Sequence, residues 1–484
     1  MNTVSTHCEQ GELAGRIADG VISFLDVPYA RDGGRFADAL PPQGWSGIRD
    51  ATRPGPVFPQ LPSRLDFVMG PTARNVEMSE DAFRLNVYTP SLEGRLPVIF
   101  WIHGGGFLTG GALRCYSGNQ LARSGRAVVV TFNYRLGVFG NLYLPGTSRG
   151  NQSVRDIVAA LHWVKRNIER FGGDPDSIVL AGQSAGAWYS QLLMSMTETS
   201  GLVRSAVLLS WPGLPPQTPE VAHSVAREFC AIGSFDGPPG DLRNASVPSL
   251  LETQAKLLGS RAAFGAIPVG FMPVSDEHVP SAPMKRAAQF APKPVMISWT
   301  RDETGSFFGS NPLLVDATRD AVLARFRQEF GTEGDSQYAR SSNRRLGSTP
   351  YSSLVELTSY GIFKGPALEA ASLLADAGSA TYTFEFGVPS HQPHVGAGHC
   401  FELPFVFGNF PDWPEAPMLH GINQRFADQL SELTQAYLLN FVETGNPNGD
   451  NLPEWKAFRR GEQASLHLSE TVTCYPATQE FATP

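Results

Sequence analysis

Ser184 stands in the pentapeptide Gly182-Gln183-Ser184-Ala185-Gly186, and the segments on either side of it have different periodicities. Ile178-Val179-Leu180-Ala181 is a continuous apolar run of strand length. Over residues 185–196 the apolar Trp188, Leu192, Leu193 and Met196 recur at helical spacing. A chain that passes from buried strand to helix across G-x-S-x-G has to turn sharply at the serine. The serine backbone is strained there, and its hydroxyl stands clear of the sheet. Glycines two residues to either side leave room for the turn and for close packing of strand on helix. The pattern commits this part of the chain to strand–turn–helix, with a hydroxyl presented at the turn.

The same alternation runs through the rest of the sequence. Residues 11–17 and 21–27 read as a hairpin across Ala18-Asp19-Gly20, and a proline-rich stretch occupies 41–62. Leu85-Asn86-Val87-Tyr88, residues 97–102 and the Val-rich 127–134 read as strands. Val154, Ile157, Val158, Leu161, Val164, Ile168 and Phe171 mark a long helix that Gly172-Gly173 stops. Residues 206–209, 295–299 and 381–386 are further strands. Strands alternating with helices predict an α/β fold: a central, mostly parallel, twisted sheet with helices on both faces. Residues 212–290, with a turn at Asp236-Gly237-Pro238-Pro239-Gly240, and residues 306–375 read as mainly helical insertions over the sheet. No repeat or linker divides the chain, so a single domain over 1–484 is expected.

Charge narrows the partners. The 484 residues include 38 basic and 46 acidic side chains, for a net charge of −8. A mildly acidic chain without a basic run argues against nucleic acid or an anionic membrane as partner. There is no apolar run of about 18 residues, the length a membrane-spanning helix needs. Residues 1–8 lack the basic and apolar regions of a signal peptide. Five cysteines, Cys8, Cys115, Cys230, Cys400 and Cys474, are odd in number and widely scattered. This favours reduced thiols and a cytoplasmic location, and none of their spacings suits zinc.

A serine hydroxyl is a weak nucleophile at neutral pH and needs a base, itself oriented by an acid. After a G-x-S-x-G turn the chain order is Ser, then Asp or Glu, then His. Of the ten histidines, His7, His103 and His162 precede Ser184. His399, in Gly396-Ala397-Gly398-His399-Cys400-Phe401-Glu402-Leu403-Pro404, lies on a glycine-rich loop after a strand and is the preferred base. His391, His394, His420 and His467 read as surface or satisfied core residues, and the spacing of His391, His394 and His399 matches no metal motif. Trp299-Thr300-Arg301-Asp302-Glu303-Thr304 offers two acids after a strand, with Glu303 favoured and Asp302 the alternative. His103-Gly104-Gly105-Gly106-Phe107 follows another strand. Its side-chain-free residues let backbone N–H groups converge on a developing oxyanion, where each donor is worth about 10²–10³ in rate. The N–H of Ala185 is the remaining donor. The glycine run lacks the G-K-[ST] and G-x-G-x-x-G continuations of phosphate loops.

Taken together, these residues resemble the type-B carboxylesterase and cholinesterase family of α/β-hydrolases. The resemblance extends over most of the chain. It rests on Val27-Pro28-Tyr29-Ala30, Ser79-Glu80-Asp81, Leu85-Asn86-Val87-Tyr88, the Trp101–Phe107 run, Phe132-Asn133-Tyr134-Arg135, Phe171-Gly172-Gly173-Asp174-Pro175, the Ser184 pentapeptide, Glu402-Leu403-Pro404-Phe405-Val406-Phe407-Gly408 and Thr444-Gly445-Asn446-Pro447-Asn448. It implies Ser184 as nucleophile, Glu303 as acid and His399 as base, with Gly105, Gly106 and Ala185 forming the oxyanion hole. The departures are informative. Ala82 and Phe58 stand where the family often has a disulfide. Residues 59–83 contain no tryptophan, as a site for a quaternary ammonium would require. Gln183 replaces a usual glutamate, Thr304 precedes Gly305, and Trp211 replaces a small residue. Gly-Gln-Ser with Gly-His-Cys and Trp-Thr-Arg-Asp-Glu also looks like bacterial members that cleave aryl carbamates.

The expectation is a serine carboxylesterase that hydrolyses neutral carboxylic esters through an acyl-enzyme, without cofactor or metal. The alternative is an aryl carbamate or anilide hydrolase using the same Ser-His-Glu set. Phe107, Leu108, Trp211 and Phe307 are candidates to bind the small-molecule substrate, and Trp188 and Phe308 are more suited to the core. A catalytically dead, cholinesterase-like adhesion protein is disfavoured because the nucleophile, base and acid are all present.

Overall fold

In the computed structural model of the chain, the apolar segments line up in one 13-stranded sheet. The structure describes residues 2–235, 240–344, 347–477 and 481. Of the turn expected at 236–240, residues 236–239 lie outside the described residues. The centre of the sheet is parallel, in the spatial order Val128–Phe132, Leu96–Ile102, Gly173–Gln183, Ser205–Leu209, Val295–Thr300, Thr381–Phe386 and Ala464–Leu468. On one side the sheet continues antiparallel through Arg84–Thr89, Val21–Pro28, Gly11–Ala18 and Asn2–Cys8, and the short Ile48–Asp50 pairs parallel with Gly11–Ala18 as the thirteenth strand. On the other it ends in the antiparallel Val472–Pro476.

Each central strand serves two cores because successive side chains point to opposite faces. Val98, Phe100, Ile102, Ile178, Leu180, Ala206 and Leu208 enter one apolar cluster. Their neighbours Ile99, Trp101, Val179, Ala181, Val207 and Leu209 enter another. The first is covered by Gln152–Asn167, Ala185–Ser195 and Gly365–Asp376, the second by Leu403–Phe407 and Gln424–Thr444. Full burial of one Val, Leu, Ile or Phe side chain is worth about 1.5–3 kcal/mol, so a two-sided sheet with strands this apolar must be covered on both faces.

The expected strands and the long helix are present, and Gly172 closes the helix with φ of 77°. The two insertions are helical: Pro219–Gly233 and Val247–Ser260 in the first, Arg319–Phe330, Gly334–Arg344 and Pro350–Ser359 in the second. A π-helical turn, Tyr360–Lys364, joins the last of these to the next helix. The first strand, the last two strands and the Gln424–Thr444 helix were not anticipated. Asn2–Cys8 is mostly exposed and polar, so it carries no buried alternation to read. None of the five cysteines is in a disulfide, and the aromatic rings of Phe58 and Phe83 pack edge-to-face beside Ala82.

Register decides which loops meet. Gly182 is opposite Ile102 on one side and Leu208 on the other. The turn at Ser184 therefore rises between the loops that follow Ile102 and Leu209. Val295–Thr300 and Thr381–Phe386 end at the same rim, two and three strands away. Residues far apart in sequence are thereby delivered to one crevice at the carboxyl ends of the strands, where open α/β sheets place their ligands.

Candidate active site

Ser184 has φ of 57° and ψ of −124°. For a residue with a Cβ this conformation costs on the order of 1–3 kcal/mol, so the surroundings have to hold it. Its N–H donates to the Leu209 carbonyl at 2.9 Å, and its own carbonyl accepts from Trp188 N–H at 3.0 Å. The flanking glycines are required by contact. A Cβ on Gly186 would sit 1.9 Å from the Ile102 oxygen, and one on Gly182 would sit 2.4 Å from the Gly186 carbonyl carbon.

The side chain of Ser184 faces a cavity of about 360 Å³ that Gly105, Gly106 and Ala185 also line. Gly105 and Gly106 have φ of +116° and +61°, a region that favours glycine. The loop they form is pinned from behind. The buried His103 ring stacks on Tyr134 with 4.2 Å between centroids, and the Tyr134 hydroxyl donates to the His103 carbonyl at 2.7 Å. Burial pushes the His103 pKa down to about 4, which keeps it neutral. Gln60 clamps Gly110 through its side-chain oxygen and nitrogen, at 2.7 and 2.8 Å. Ala185 is the first residue of an eleven-residue helix, where the N–H has no partner within the helix.

His399 and Glu303 are both completely buried and hydrogen-bonded through His399 Nδ1 and Glu303 Oε2. The other carboxylate oxygen accepts from Thr300 N–H at 2.8 Å. His399 N–H donates to the Glu303 carbonyl at 3.2 Å, and Ser306 Oγ donates to the His399 carbonyl at 3.0 Å. Asp302 contacts the loop and not the imidazole. Its Oδ2 accepts from Ala397 N–H at 3.0 Å and from Arg301 Nε at 3.2 Å. With Nδ1–H committed to Glu303, His399 Nε2 is the lone-pair nitrogen. It takes an N–H of the Gln183 side chain at 3.1 Å, on the residue next to Ser184. The Gln183 amide also donates to Cys400 Sγ at 3.3 Å.

The rings of Phe307 and Phe363 each lie 5.1 Å from the His399 ring and wall it off. Phe307 was expected near the substrate and lines the cavity. Phe363, on the π-helical turn, lines it too and had no sequence signal. Phe107 and Leu108 reach the cavity, although Phe107 also packs edge-to-face on Trp188 and Tyr189. Trp211 is placed differently. It lies in the core with its indole N–H 3.2 Å from Gln191 Oε1, and its neighbour Pro212 reaches the cavity surface instead. Trp188 and Phe308 are core residues. His394 packs against Tyr351, away from His399. Among the described residues no group of three or more His, Cys, Asp or Glu is placed to hold a metal ion, and no helix is long and apolar enough to cross a membrane.

A second buried carboxylate was not singled out from the sequence. Glu402 accepts from Ser210 Oγ at 3.2 Å through Oε1, and its Oε2 has no hydrogen-bond partner. Burial, and next the charge of Glu303, push its pKa up to about 7, against smaller opposing effects of His399 and of hydrogen bonds. A carboxyl whose pKa is higher folded than unfolded stabilises the fold fully below its unfolded value, and that contribution is lost as pH rises through the folded value. Stability should fall between about pH 4.5 and 7 by on the order of 3 kcal/mol from this group. Glu402→Gln should abolish most of that decline, measured as urea unfolding at pH 5 and pH 8. An unchanged slope in the variant would show that the group does not titrate there.

The comparisons with known proteins agree with this architecture. The model of the Carboxylesterase family matches residues 1–482. Phenmedipham hydrolase of Pseudarthrobacter oxydans is 32% identical, over 96% of this chain and 94% of that protein. A probable N-octanoylanthranilate hydrolase of Rhodococcus erythropolis is 35% identical, over 96% of this chain and 97% of its own. The crystal structure of the carboxylesterase EST55 of Geobacillus stearothermophilus superposes with a TM-score of 0.85, at 31% identity, over 97% of each chain. The chain therefore belongs to the carboxylesterase family and is a carboxylic ester hydrolase of the α/β-hydrolase fold.

Proposed function

We propose that the chain acts as a single catalytic domain in which Ser184, His399 and Glu303 hydrolyse esters through an acyl-enzyme. The observation that carries this reading is the meeting of two features at one rim. One is the strained Ser184 opening on the cavity beside Gly105 and Gly106. The other is the buried Glu303–His399 pair, whose free nitrogen faces the residue next to Ser184. For proton transfer the Ser184 hydroxyl takes the place on His399 Nε2 that the Gln183 amide now holds. Serine Oγ then attacks the carbonyl carbon while Nε2 takes its proton, and Glu303 stabilises the imidazolium. The N–H groups of Gly105, Gly106 and Ala185 stabilise the oxyanion. His399 returns the proton to the leaving oxygen. It next takes one from water, whose oxygen attacks the acyl carbon and releases the acid with Ser184 restored. Every proton is handled by these groups and by water.

Among the relatives, one is named for phenmedipham and another for an N-acylated anthranilate, which favours aryl carbamates or anilides as a second reading on the same triad. Turnover of p-nitrophenyl butyrate, a phenyl carbamate and an acyl anilide by the purified protein separates the two. The ester reading expects steady turnover of the ester and one stoichiometric burst on the carbamate, followed by inhibition. Continued carbamate release at an ester-like rate would install the second reading. Cysteines without disulfides favour a reducing, cytoplasmic location, and the net acidic charge favours small molecules over nucleic acid as partners.

A further inference from the structure

The cavity at Ser184 is mainly apolar, with Ser63, Thr109 and Gln254 as uncharged polar residues beside the nucleophile candidate. Leu65, Leu108, Leu214, Leu258, Ile267 and Ile362 are typical of its lining, and among the described residues Arg64 is the one charged residue in it. Among those residues no carboxylate shares the lining. Arg64 Nη1 donates to the Pro268 carbonyl at 3.0 Å, and among the described residues no ion pair to Arg64 is formed. Nη2 lies over the oxyanion loop, because a Cβ built on Gly106 would be 2.9 Å from it. Burial raises the pKa of Asp66, the nearest acid along the chain, against smaller opposing effects of the Ser63 backbone and the charge of Arg74. Arg64 is exposed to solvent, although the protein packed around it still lowers the guanidinium's pKa by partial desolvation. An arginine starts so far above neutrality that it stays charged.

An exposed guanidinium with no acidic partner among the described residues, at the edge of a mainly apolar cavity, retains its preference for an anion. Its fork of N–H donors suits a carboxylate, and low local dielectric strengthens the contact. The positive charge of Arg64, unbalanced by an acid in the described lining, also disfavours cations in the same space. We propose that the cavity selects substrates that carry a free carboxylate in addition to the scissile ester or amide, and that Arg64 binds this carboxylate. The inference rests on the Ser184 reading for the reaction. It adds a charge preference that the residues around the nucleophile do not supply.

The carboxylate can belong to the acyl half or to the leaving half, so two matched pairs are needed. The first pair is p-nitrophenyl butyrate against mono-p-nitrophenyl glutarate, and the second is p-tolyl acetate against p-carboxyphenyl acetate. In the wild type, at least one carboxylate-bearing member should have the higher kcat/KM. Its advantage should shrink as salt rises, because part of the contact is exposed to screening. Arg64→Gln should lower kcat/KM for that member relative to its neutral partner by about 10- to 100-fold, mostly through KM. The pair that responds identifies the half carrying the charge. Equal losses on charged and neutral members, or no loss on either charged member, would overturn the proposal. Failure of all four esters, charged and neutral, to turn over would instead overturn the Ser184 reading. In that event calorimetry with octanoate and benzoate still tests Arg64: binding by the wild type that is at least tenfold weaker in Arg64→Gln supports the site, and equal or absent binding refutes it.

Discussion

Ser184→Ala is expected to lower kcat on p-nitrophenyl butyrate by about 10⁵–10⁶-fold, with thermal unfolding close to that of the wild type. The size follows from the removal of the covalent route: without Oγ no acyl-enzyme forms, and what remains is the rate conferred by binding and the oxyanion donors. Stability should hold because Ser184 is anchored through its backbone, by N–H to Leu209 and by its carbonyl to Trp188, and alanine keeps both bonds. His399→Ala should cost nearly as much, and the double variant little more than either single one, since the two groups act as a unit. Steady-state rates and single-turnover acylation, measured with trace wild-type contamination excluded, check this. Ester activity in Ser184→Ala equal to that of wild type would sink the reading of Ser184 as nucleophile.

The second large effect concerns the acid. Glu303 Oε1 already accepts from Thr300 N–H, and Oε2 accepts from His399 Nδ1–H. In Glu303→Gln the amide keeps its oxygen on Thr300, because a backbone donor there needs an acceptor. Its NH₂ then faces His399 and forces the imidazole to carry its proton on Nε2. That tautomer cannot take a proton from Ser184, so kcat should fall by about 10⁴-fold with KM little changed. Asp302→Asn should behave differently. The amide oxygen can still accept from Ala397 N–H, and the imidazole is untouched, so activity should stay within about tenfold while the melting temperature drops as the Arg301 contact weakens. Paired pH–rate profiles and melting curves of the two variants check the assignment. A loss near 10⁴-fold confined to Asp302→Asn would transfer the acid role to Asp302.

The choice between these two acids illustrates what a one-dimensional pattern carries. Both follow the same strand, both are charged, and adjacent residues are equally able to end a strand. The assignment came from Thr300, whose backbone N–H holds one carboxylate oxygen, and from the 96-residue return of the chain that sets His399 against the other. Gln183 was legible as a replacement for a carboxylate, but its contact with His399 Nε2 was not, because that depends on how the loop after Phe386 folds over the turn. Trp211 was expected to face the substrate on the strength of its size. Its indole N–H instead found Gln191, a polar residue on the nucleophile's own helix, and this drew the ring into the core. Arg64 and Phe363 carried no motif at all, as one lies in an irregular loop and the other on a π-helical turn.

Local chemistry alone determined most of the elements and the sharp turn that presents Ser184. Period-two and period-3.6 apolar patterns define strands and helices within a few residues, and only glycine tolerates the 1.9 Å approach of Gly186 to Ile102. The order Ser, acid, His and the glycine loop after Ile102 were likewise written in the chain. Tertiary structure alone decided which acid meets the base, which aromatic rings enclose it, and which single charge enters the cavity. Those outcomes depend on strand register and on the docking of insertions whose contacts are long-range, and no periodicity along the chain encodes a contact between residues hundreds of positions apart.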